Sequence, residues 1–180
     1  MLLSNNSTLG RPMAAGLVRG QDAPMPLYIR HTRSARIVEL SRRICGKLAE
    51  HAASRQIDLN DVRVWLTHSE NPPANSAFGR LLRRRANPVD PDEEHWTAVV
   101  LHPTQLLVAT DGAKRGTAVL SVPLLQASIT ADTGSGDPAG FTITGFPGEQ
   151  TGSYYVGLGP EPDAAGCISA VQAAIGAAKQ

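Results

Sequence analysis

The sequence predicts a mainly β protein of the α+β class, with seven short antiparallel strands, a C-terminal helix and a preceding N-terminal helix. Short apolar runs separated by turn residues fill the chain from Trp96 to Leu158, and another alternating run lies at Val62. From Pro162 onward, apolar residues recur at the spacing of a helix. We therefore expect a bent sheet or barrel that the final helix caps.

Composition indicates one folded unit and excludes some functions. Of the 180 residues, 42% are hydrophobic and 18% are charged, which is close to the globular average. The formal net charge of +1 offers no global positive field, so no nucleic-acid partner is expected. The N-terminus does not have the pattern of a secretory signal, and no apolar run is long enough to span a membrane. We expect a cytoplasmic protein.

Two smaller compositional features concern the source of the protein and its compartment. Arginine outnumbers lysine 14 to 3 and alanine is abundant, which suggests a GC-rich bacterial coding sequence. Cys45 and Cys167 both lie in helical patterns among apolar neighbours. At such positions a buried thiol is favoured over a disulfide, as in a reducing compartment.

The N-terminal part divides into a leader and a helix. Residues 1–27 have no apolar periodicity and are predicted to be a flexible leader. Residues 28–56 are predicted to contain an amphipathic basic helix from 34 to 53, with Thr32 or Ser34 at its start and a local net charge of +5. Its apolar face is expected to dock on its own sheet, and the alternative is pairing with another copy of the chain.

Residues 57–180 are predicted to form the β domain. The first strand, at Val62, alternates apolar and polar residues, which indicates one buried face. A long insertion at 69–95 follows it, and insertions of this length are typically functional or disordered. The remaining predicted strands span residues 96–101, 106–110, 117–122, 126–130, 141–144 and 153–158. Pro162 and Asp163 suit the first turn of the final helix.

Three segments resemble bacterial members of the pleckstrin-homology-like (PH-like) superfold. They are the hairpin from Trp96 to Thr110, the phrase Ser121-Val122-Pro123-Leu124, and Tyr154-Tyr155-Val156-Gly157-Leu158 before the helix. The resemblance covers about residues 62–178 and implies a seven-stranded bent sheet with a C-terminal helix. Members of this superfold bind lipids, bind peptides or act as scaffolds, so the resemblance alone does not assign a function.

An arginine run in the insertion is the strongest candidate binding feature. It offers Arg80, Arg83, Arg84 and Arg85, and the acidic residues Asp90, Asp92, Glu93 and Glu94 follow it. Phosphoinositide-binding members of the superfold carry a lysine and arginine pattern in the corresponding loop, whereas this insertion lacks a Lys-x-Arg-x-Arg arrangement. Internal compensation by the carboxylates is favoured, and contact with an anion or an acidic partner is the alternative. Lys114 and Arg115, at a hairpin tip, are the other candidate binding residues.

No motif supports catalysis, a cofactor or a metal. Gly157-Leu158-Gly159 lacks the third glycine of a dinucleotide turn, since that position is Pro162. His95 lies beside acidic residues but without the spacing of metal ligands, and His68-Ser69 lacks the setting of a hydrolase nucleophile. An enzyme whose site is assembled from distant residues stays open as a class.

The sequence therefore favours a non-catalytic binding or adaptor module that recognises a protein partner. Two cationic segments and an additional helix motivate this hypothesis. The rival is a peripheral membrane module that binds anionic lipid headgroups through the arginine run.

Overall fold

The computed structural model describes residues 27–74, 84–132, 140–147 and 152–180, which form eight β-strands and two α-helices. The strands are β1 (Ile29–Ala35), β2 (Arg63–Glu70), β3 (Glu94–Leu101), β4 (Gln105–Gly112), β5 (Gly116–Pro123), β6 (Ser128–Asp132), β7 (Gly140–Phe146) and β8 (Gly152–Gly157). The helices are α1 (Arg42–Ser54) and α2 (Pro162–Ala178), and a 3-10 turn at Ile37–Glu39 precedes α1. No helix in these ranges combines the length and apolar character that crossing a membrane requires.

The strands form two antiparallel sheets. Strands β1 to β5 make a five-stranded sheet in sequence order, and β6 to β8 make a three-stranded sheet. The predicted α+β, mainly β class, the antiparallel pairing and the C-terminal helix are confirmed. Within the described residues the two sheets stay separate and do not close into a barrel.

The strand count is eight rather than the predicted seven. All seven predicted runs fall on strands, and the additional one is β1. It pairs with β2 along its full length, from Ile29 opposite Glu70 to Ala35 opposite Val64. Its buried residues, Arg30 and Thr32, are polar. For this reason β1 lacks the apolar alternation by which a strand is recognised in sequence.

The predicted N-terminal helix is only partly present. Helix α1 begins at Arg42, where the side chain of Ser41 accepts a hydrogen bond from the backbone N–H of Ile44 at 3.2 Å. The predicted caps, Thr32 and Ser34, lie in β1 instead. Pairing with β2 therefore overrides the helical periodicity of the residues before α1.

Helix α1 covers one face of the five-stranded sheet. Its residues Ile44 and Leu48 are almost fully buried against apolar residues of β2, β3 and β4. Ala98 and Ala109 of the sheet belong to the same cluster and are fully buried, and such small side chains let a helix approach closely. The apolar face of α1 is thus buried within its own chain.

The opposite face of the five-stranded sheet packs against the three-stranded sheet and α2. Strand β2 contributes to both cores, because Val64 faces α1 while Trp65, only 3% exposed, faces the second core. The prediction that only one face of this strand is buried was wrong. The second core comprises Trp65, Val99, Leu101, Leu106, Val108, Val122, Leu124, Ala127, Phe141, Ile143, Phe146, Val156, Leu158, Ala164, Cys167, Val171 and Ile175.

The start of α2 closes the outer edge of β1. The backbone N–H of Thr32 donates to the Glu161 carboxylate at 2.8 Å, and that of Ser34 donates to the Asp163 carboxylate at 2.6 Å. The Thr32 hydroxyl in turn accepts from the backbone N–H of Gly159 at 2.7 Å. Side chains at the beginning of the last helix therefore occupy donors that an edge strand would otherwise present to solvent.

Candidate functional site

The predicted cationic residues lie in different environments. Arg80 and Arg83 fall outside the described residues. Arg84 and Arg85 lie in the connection between β2 and β3, in the part that leads into β3. Arg85 forms an isolated β-bridge with Pro73. The Arg85 guanidinium pairs with the Glu93 carboxylate at 2.5 Å and donates to the Asn71 carbonyl at 3.3 Å. One arginine of the run is therefore compensated by a carboxylate of its own connection.

Lys114 and Arg115 lie in the turn between β4 and β5, and both contact Asp92. The backbone N–H of Lys114 donates to the Asp92 carboxylate at 2.6 Å, and the Arg115 Nε donates to it at 2.8 Å. Arg115 also pairs with Asp90 through its Nη2. The Arg115 guanidinium is thus held between two carboxylates, whereas Lys114 contributes a backbone group.

Asp92 is the centre of this arrangement. Its carboxylate is fully buried, and Gly112 makes room for it, because a side chain at Gly112 would collide with the carboxylate. Burial alone would raise the pKa of Asp92, but the hydrogen bonds from Lys114 and Arg115 outweigh burial and hold the pKa below its ordinary value. Asp92 is therefore a charged, fully bonded group inside the protein.

Asp90 extends the arrangement to the start of β1. The Tyr28 hydroxyl donates to the Asp90 carboxylate at 2.5 Å and accepts from the Asn87 side-chain amide at 2.8 Å. Burial and the neighbouring Asp90 raise the pKa of Tyr28 to about 12. We call Tyr28, Asp90, Asp92 and Arg115 the acid–arginine cluster. It joins β1, the connection between β2 and β3, and the turn between β4 and β5.

The cluster borders an open cleft of about 410 Å³ between the two sheets. Polar residues on the inner face of the five-stranded sheet form one wall, and β8 forms the other. On the rest of the inner face the buried side chains are mainly apolar and pack against the three-stranded sheet and α2. Thr32 and Thr67 are buried polar exceptions, and their hydroxyls hydrogen-bond to each other at 2.9 Å. The cleft is lined by Tyr28, Arg30, Ser69, Asn87, Val89, Asp90, Pro91, His95, Thr97, Arg115, Tyr154, Tyr155 and Gly157.

Arg30 is held rigidly in the wall of the cleft. The residue is 6% exposed, and its guanidinium carbon lies 4.6 Å from the centroid of the Tyr28 ring. On its other side it packs directly on Gly157, where any side chain would collide with the guanidinium. An aromatic ring and a glycine therefore fix the position of this buried cation.

His95 is the ionisable group of the cleft with the most perturbed pKa. Burial and the positive charge of Arg115 lower its pKa from 6.5 to about 4. Its Nδ1 lies 3.5 Å from an Asp90 carboxylate oxygen and has no hydrogen-bond partner among the described residues. Since His95 is neutral near pH 7, we treat this contact as a close approach and not as a salt bridge.

We expect His95 to make stability fall between pH 6.5 and pH 4. In this range the imidazole of His95 binds a proton in the unfolded chain but not in the folded chain, so unfolding becomes more favourable as the pH falls. The charged groups around His95 in the folded chain are Arg30, Arg115, Asp90 and Asp92. The loss is about 3 kcal/mol at most by pH 4. It is measured by urea unfolding across this pH range, with His95→Gln as the comparison. Identical pH profiles for the two proteins would refute this role of His95.

The cleft offers hydrogen-bonding groups and little chemical reactivity. A pKa of about 4 makes His95 a weak base, and its Nδ1 contacts no hydroxyl within the described residues. Among those residues, no group of three or more histidine, cysteine, aspartate or glutamate side chains is arranged to hold a metal ion.

Sequence reasoning found one part of this site and missed the rest. Arg115 was a candidate residue, but its partners Asp90 and Asp92 were expected to compensate the arginine run of their own insertion. Tyr28 and Arg30 fall in the segment 28–56, for which the sequence predicts a basic helix, whereas Arg30 lies in β1. One signal was present in the sequence: polar residues stand at alternate positions where the strands should bury apolar ones, namely Ser69 and Thr97.

Comparison with known proteins does not extend this description. No protein-family model matches the chain, and no curated protein matches it.

Proposed function

We propose that this protein is a non-catalytic binding module that receives a segment of a protein partner in the cleft. The observation that carries the proposal is the combination of a polar, preformed interior with an apolar rim. Val89, 87% exposed, and Tyr155, 38% exposed, stand at the rim, while Arg30, Ser69 and Thr97 line the interior. Sites of this kind bind through apolar contacts and fix orientation through a few polar groups.

The charges of the acid–arginine cluster support binding over catalysis. Arg115 is committed to Asp90 and Asp92, and Tyr28 donates to Asp90, so these groups hold the connection between β2 and β3 in place. The connection carries Val89. The cluster therefore acts as a rigid support for the rim, which reduces the entropy that binding a partner costs.

The element order supports the resemblance to the PH-like superfold, which we propose as the kinship of this chain. Strands β2 to β5, strands β6 to β8 and the helix α2 follow in the expected order. In this proposal β1 and α1 are additions at one edge and one face. Because the superfold hosts peptide-binding and scaffolding proteins, the kinship is compatible with a partner-binding role. The proposal places the module in the cytoplasm, where the two unbonded cysteines would stay reduced.

The alternative, binding of anionic lipid headgroups, has weaker support. Arg85 and Arg115 are both paired with carboxylates, and a headgroup would have to displace Glu93, Asp90 or Asp92. The two functions are distinguished by sedimentation with anionic vesicles. Binding that disappears when Arg83, Arg84 and Arg85 are replaced together would favour the membrane function over ours.

The binding proposal predicts that Val89→Glu weakens partner binding by roughly tenfold, about 1.4 kcal/mol, because it places a charge on the apolar rim. Val38→Glu is the matched control, since Val38 is 79% exposed and does not line the cleft. Partners are first identified by affinity purification from cells that naturally produce the protein, followed by mass spectrometry. Affinities of the purified pair are then measured by calorimetry. Equal effects of the two substitutions on the affinity would show that the partner binds outside the cleft.

A further inference from the structure

Strand β5 differs from the other edge strands of the molecule. It pairs with β4 in unbroken register from Gly112 opposite Gly116 to Gln105 opposite Pro123, and no described strand pairs with its outer edge. Its sequence, Gly-Thr-Ala-Val-Leu-Ser-Val-Pro, contains no charged residue, and its proline stands only at the last position. An edge of this length without charge or bulge is a template for pairing with another strand.

The other three edges are each shortened or obstructed. Carboxylates of Glu161 and Asp163 occupy N–H groups of β1. Strand β6 has five residues, and the Lys179 ammonium reaches its first residue, Ser128, at 3.3 Å. Strand β8 ends where Arg30 packs on Gly157, and its pairing with β7 is irregular between Thr144 and Phe146. Only β5, among the described edges, has none of these protections.

We propose that the outer edge of β5 pairs antiparallel with β5 of a second copy of this chain, so that the two five-stranded sheets join into one. A two-fold axis requires one residue to lie opposite itself, and we place Val119 there. Ala118 then lies opposite Leu120 of the second copy, and Thr117 opposite Ser121. A small side chain faces a large one in the first of these two pairs, and a hydroxyl faces a hydroxyl in the second.

The exposed side chains of β5 suit pairing with a second copy of the chain. Leu120 is 40% exposed and Ala118 is exposed in the single chain, although both stand on the face that is otherwise buried between the sheets. Pairing of Ala118 with Leu120 of the second copy covers both. A partner strand carrying charges would instead place them against these apolar side chains, which favours a second copy over a charged peptide.

Charges beside the edge do not oppose the pairing. The nearest part of α1 carries Lys47 and Glu50, which form an ion pair at 2.7 Å and line a groove next to Val119. Arg43, which reaches Thr117, is paired with Asp111 at 2.9 Å. Two copies related by the axis therefore bring compensated charges together.

Disulfide trapping in the full chain tests the pairing and its register. The background carries Cys45→Ser, and Cys167 can stay because it is fully buried. In this background Val119→Cys places the two introduced cysteines of the dimer opposite each other. Their Cα atoms then lie about 4.5–5.5 Å apart, which is within the range of a disulfide. Oxidised glutathione should cross-link this variant into a dimer. Ala118→Cys is the matched control. In the proposed register the Cα atoms of residue 118 in the two copies lie about 8 Å apart, which is too far for a disulfide. Mixing Ala118→Cys protein with Leu120→Cys protein should restore the cross-link.

Sedimentation of the wild-type full chain should show a dimer, and Leu120→Lys should convert it to a folded monomer with an unchanged circular dichroism spectrum. A monomeric wild type, or one that dimerises only after residues 1–26 are removed, would overturn the proposal. The proposal would also be overturned if Ala118→Cys protein alone cross-linked as efficiently as Val119→Cys protein. The two copies would then meet in another register or through a different surface.

Discussion

Replacing Arg115 by alanine is expected to lower the free energy of unfolding by about 3–5 kcal/mol. The substitution leaves the carboxylates of Asp90 and Asp92, which are 3% and 0% exposed, without their cation. The donors that remain are the Tyr28 hydroxyl and the backbone N–H groups of Asp92, Lys114 and residue 115, which satisfy hydrogen bonds but carry no positive charge. Removing one member of a buried charge group costs more than the group contributes as a whole.

Urea unfolding at pH 7 measures this effect, and Lys114→Ala is the control. Lys114 is the next residue in the same turn, and only its backbone N–H contacts Asp92. We expect a change below about 0.5 kcal/mol for Lys114→Ala, as for other exposed positions. The deficit of Arg115→Ala should shrink as the pH falls toward 3.8, the ordinary pKa of an aspartate, because protonation removes the uncompensated charges. Equal small effects of the two substitutions would show that Arg115 is solvated and not structural.

Leu48→Ala is the second substitution with a large expected effect, a loss of about 2–5 kcal/mol in the free energy of unfolding. Leu48 is fully buried between α1 and the five-stranded sheet. Truncation removes apolar contacts and leaves a cavity in a core whose opposite wall includes the small residues Ala98 and Ala109. That wall belongs to paired strands and cannot collapse onto the space.

Thermal and urea unfolding of Leu48→Ala should remain a single transition shifted to lower temperature and lower urea. Val38→Ala, a truncation at a site 79% exposed, serves as the control and should change stability by less than about 0.5 kcal/mol. If α1 melted separately and left the transition of the sheets unchanged, α1 would be an appendage of the fold and not one of its layers.

The strands from β2 onward could be predicted because their apolar residues alternate or run together and because Pro and Gly separate them. The β4 run from Leu106 to Thr110 and the turn at Asp111 and Gly112 are examples. Each predicted run overlaps a strand, although β6 begins at Ser128, two residues after the predicted start. Helix α2 could be predicted for the same reason: Ala164, Val171 and Ile175 repeat at helical spacing and are buried. Local pattern and tertiary environment agree in these elements.

Strand β1 could not be predicted because its stability comes from distant residues. Arg30 and Thr32 are buried, yet a buried arginine gives no apolar periodicity, and its place depends on Tyr28 and on Gly157 at the other end of the chain. The apolar residues that follow, Ile37 and Leu40, do recur at helical spacing. Their periodicity extended the predicted helix into a segment that β2 holds as a strand.

The acid–arginine cluster was hidden for a related reason. Asp90 and Asp92 follow an arginine run, so the nearest cations in sequence were the expected partners. In the structure Asp92 binds Arg115, 23 residues later, while Arg85 pairs with Glu93. Only the folding of β3 and β4 into a hairpin brings the turn at Arg115 to these carboxylates, and charge order along the chain does not specify that hairpin's position.

The contacts of Glu161 and Asp163 with the edge of β1 determine when the fold can be completed during synthesis. A nascent chain from which residues 161–163 have not yet emerged has β1 with two donor groups open, and that edge can pair with a neighbouring nascent chain until α2 emerges. A premature stop before residue 161 leaves these two donors open permanently.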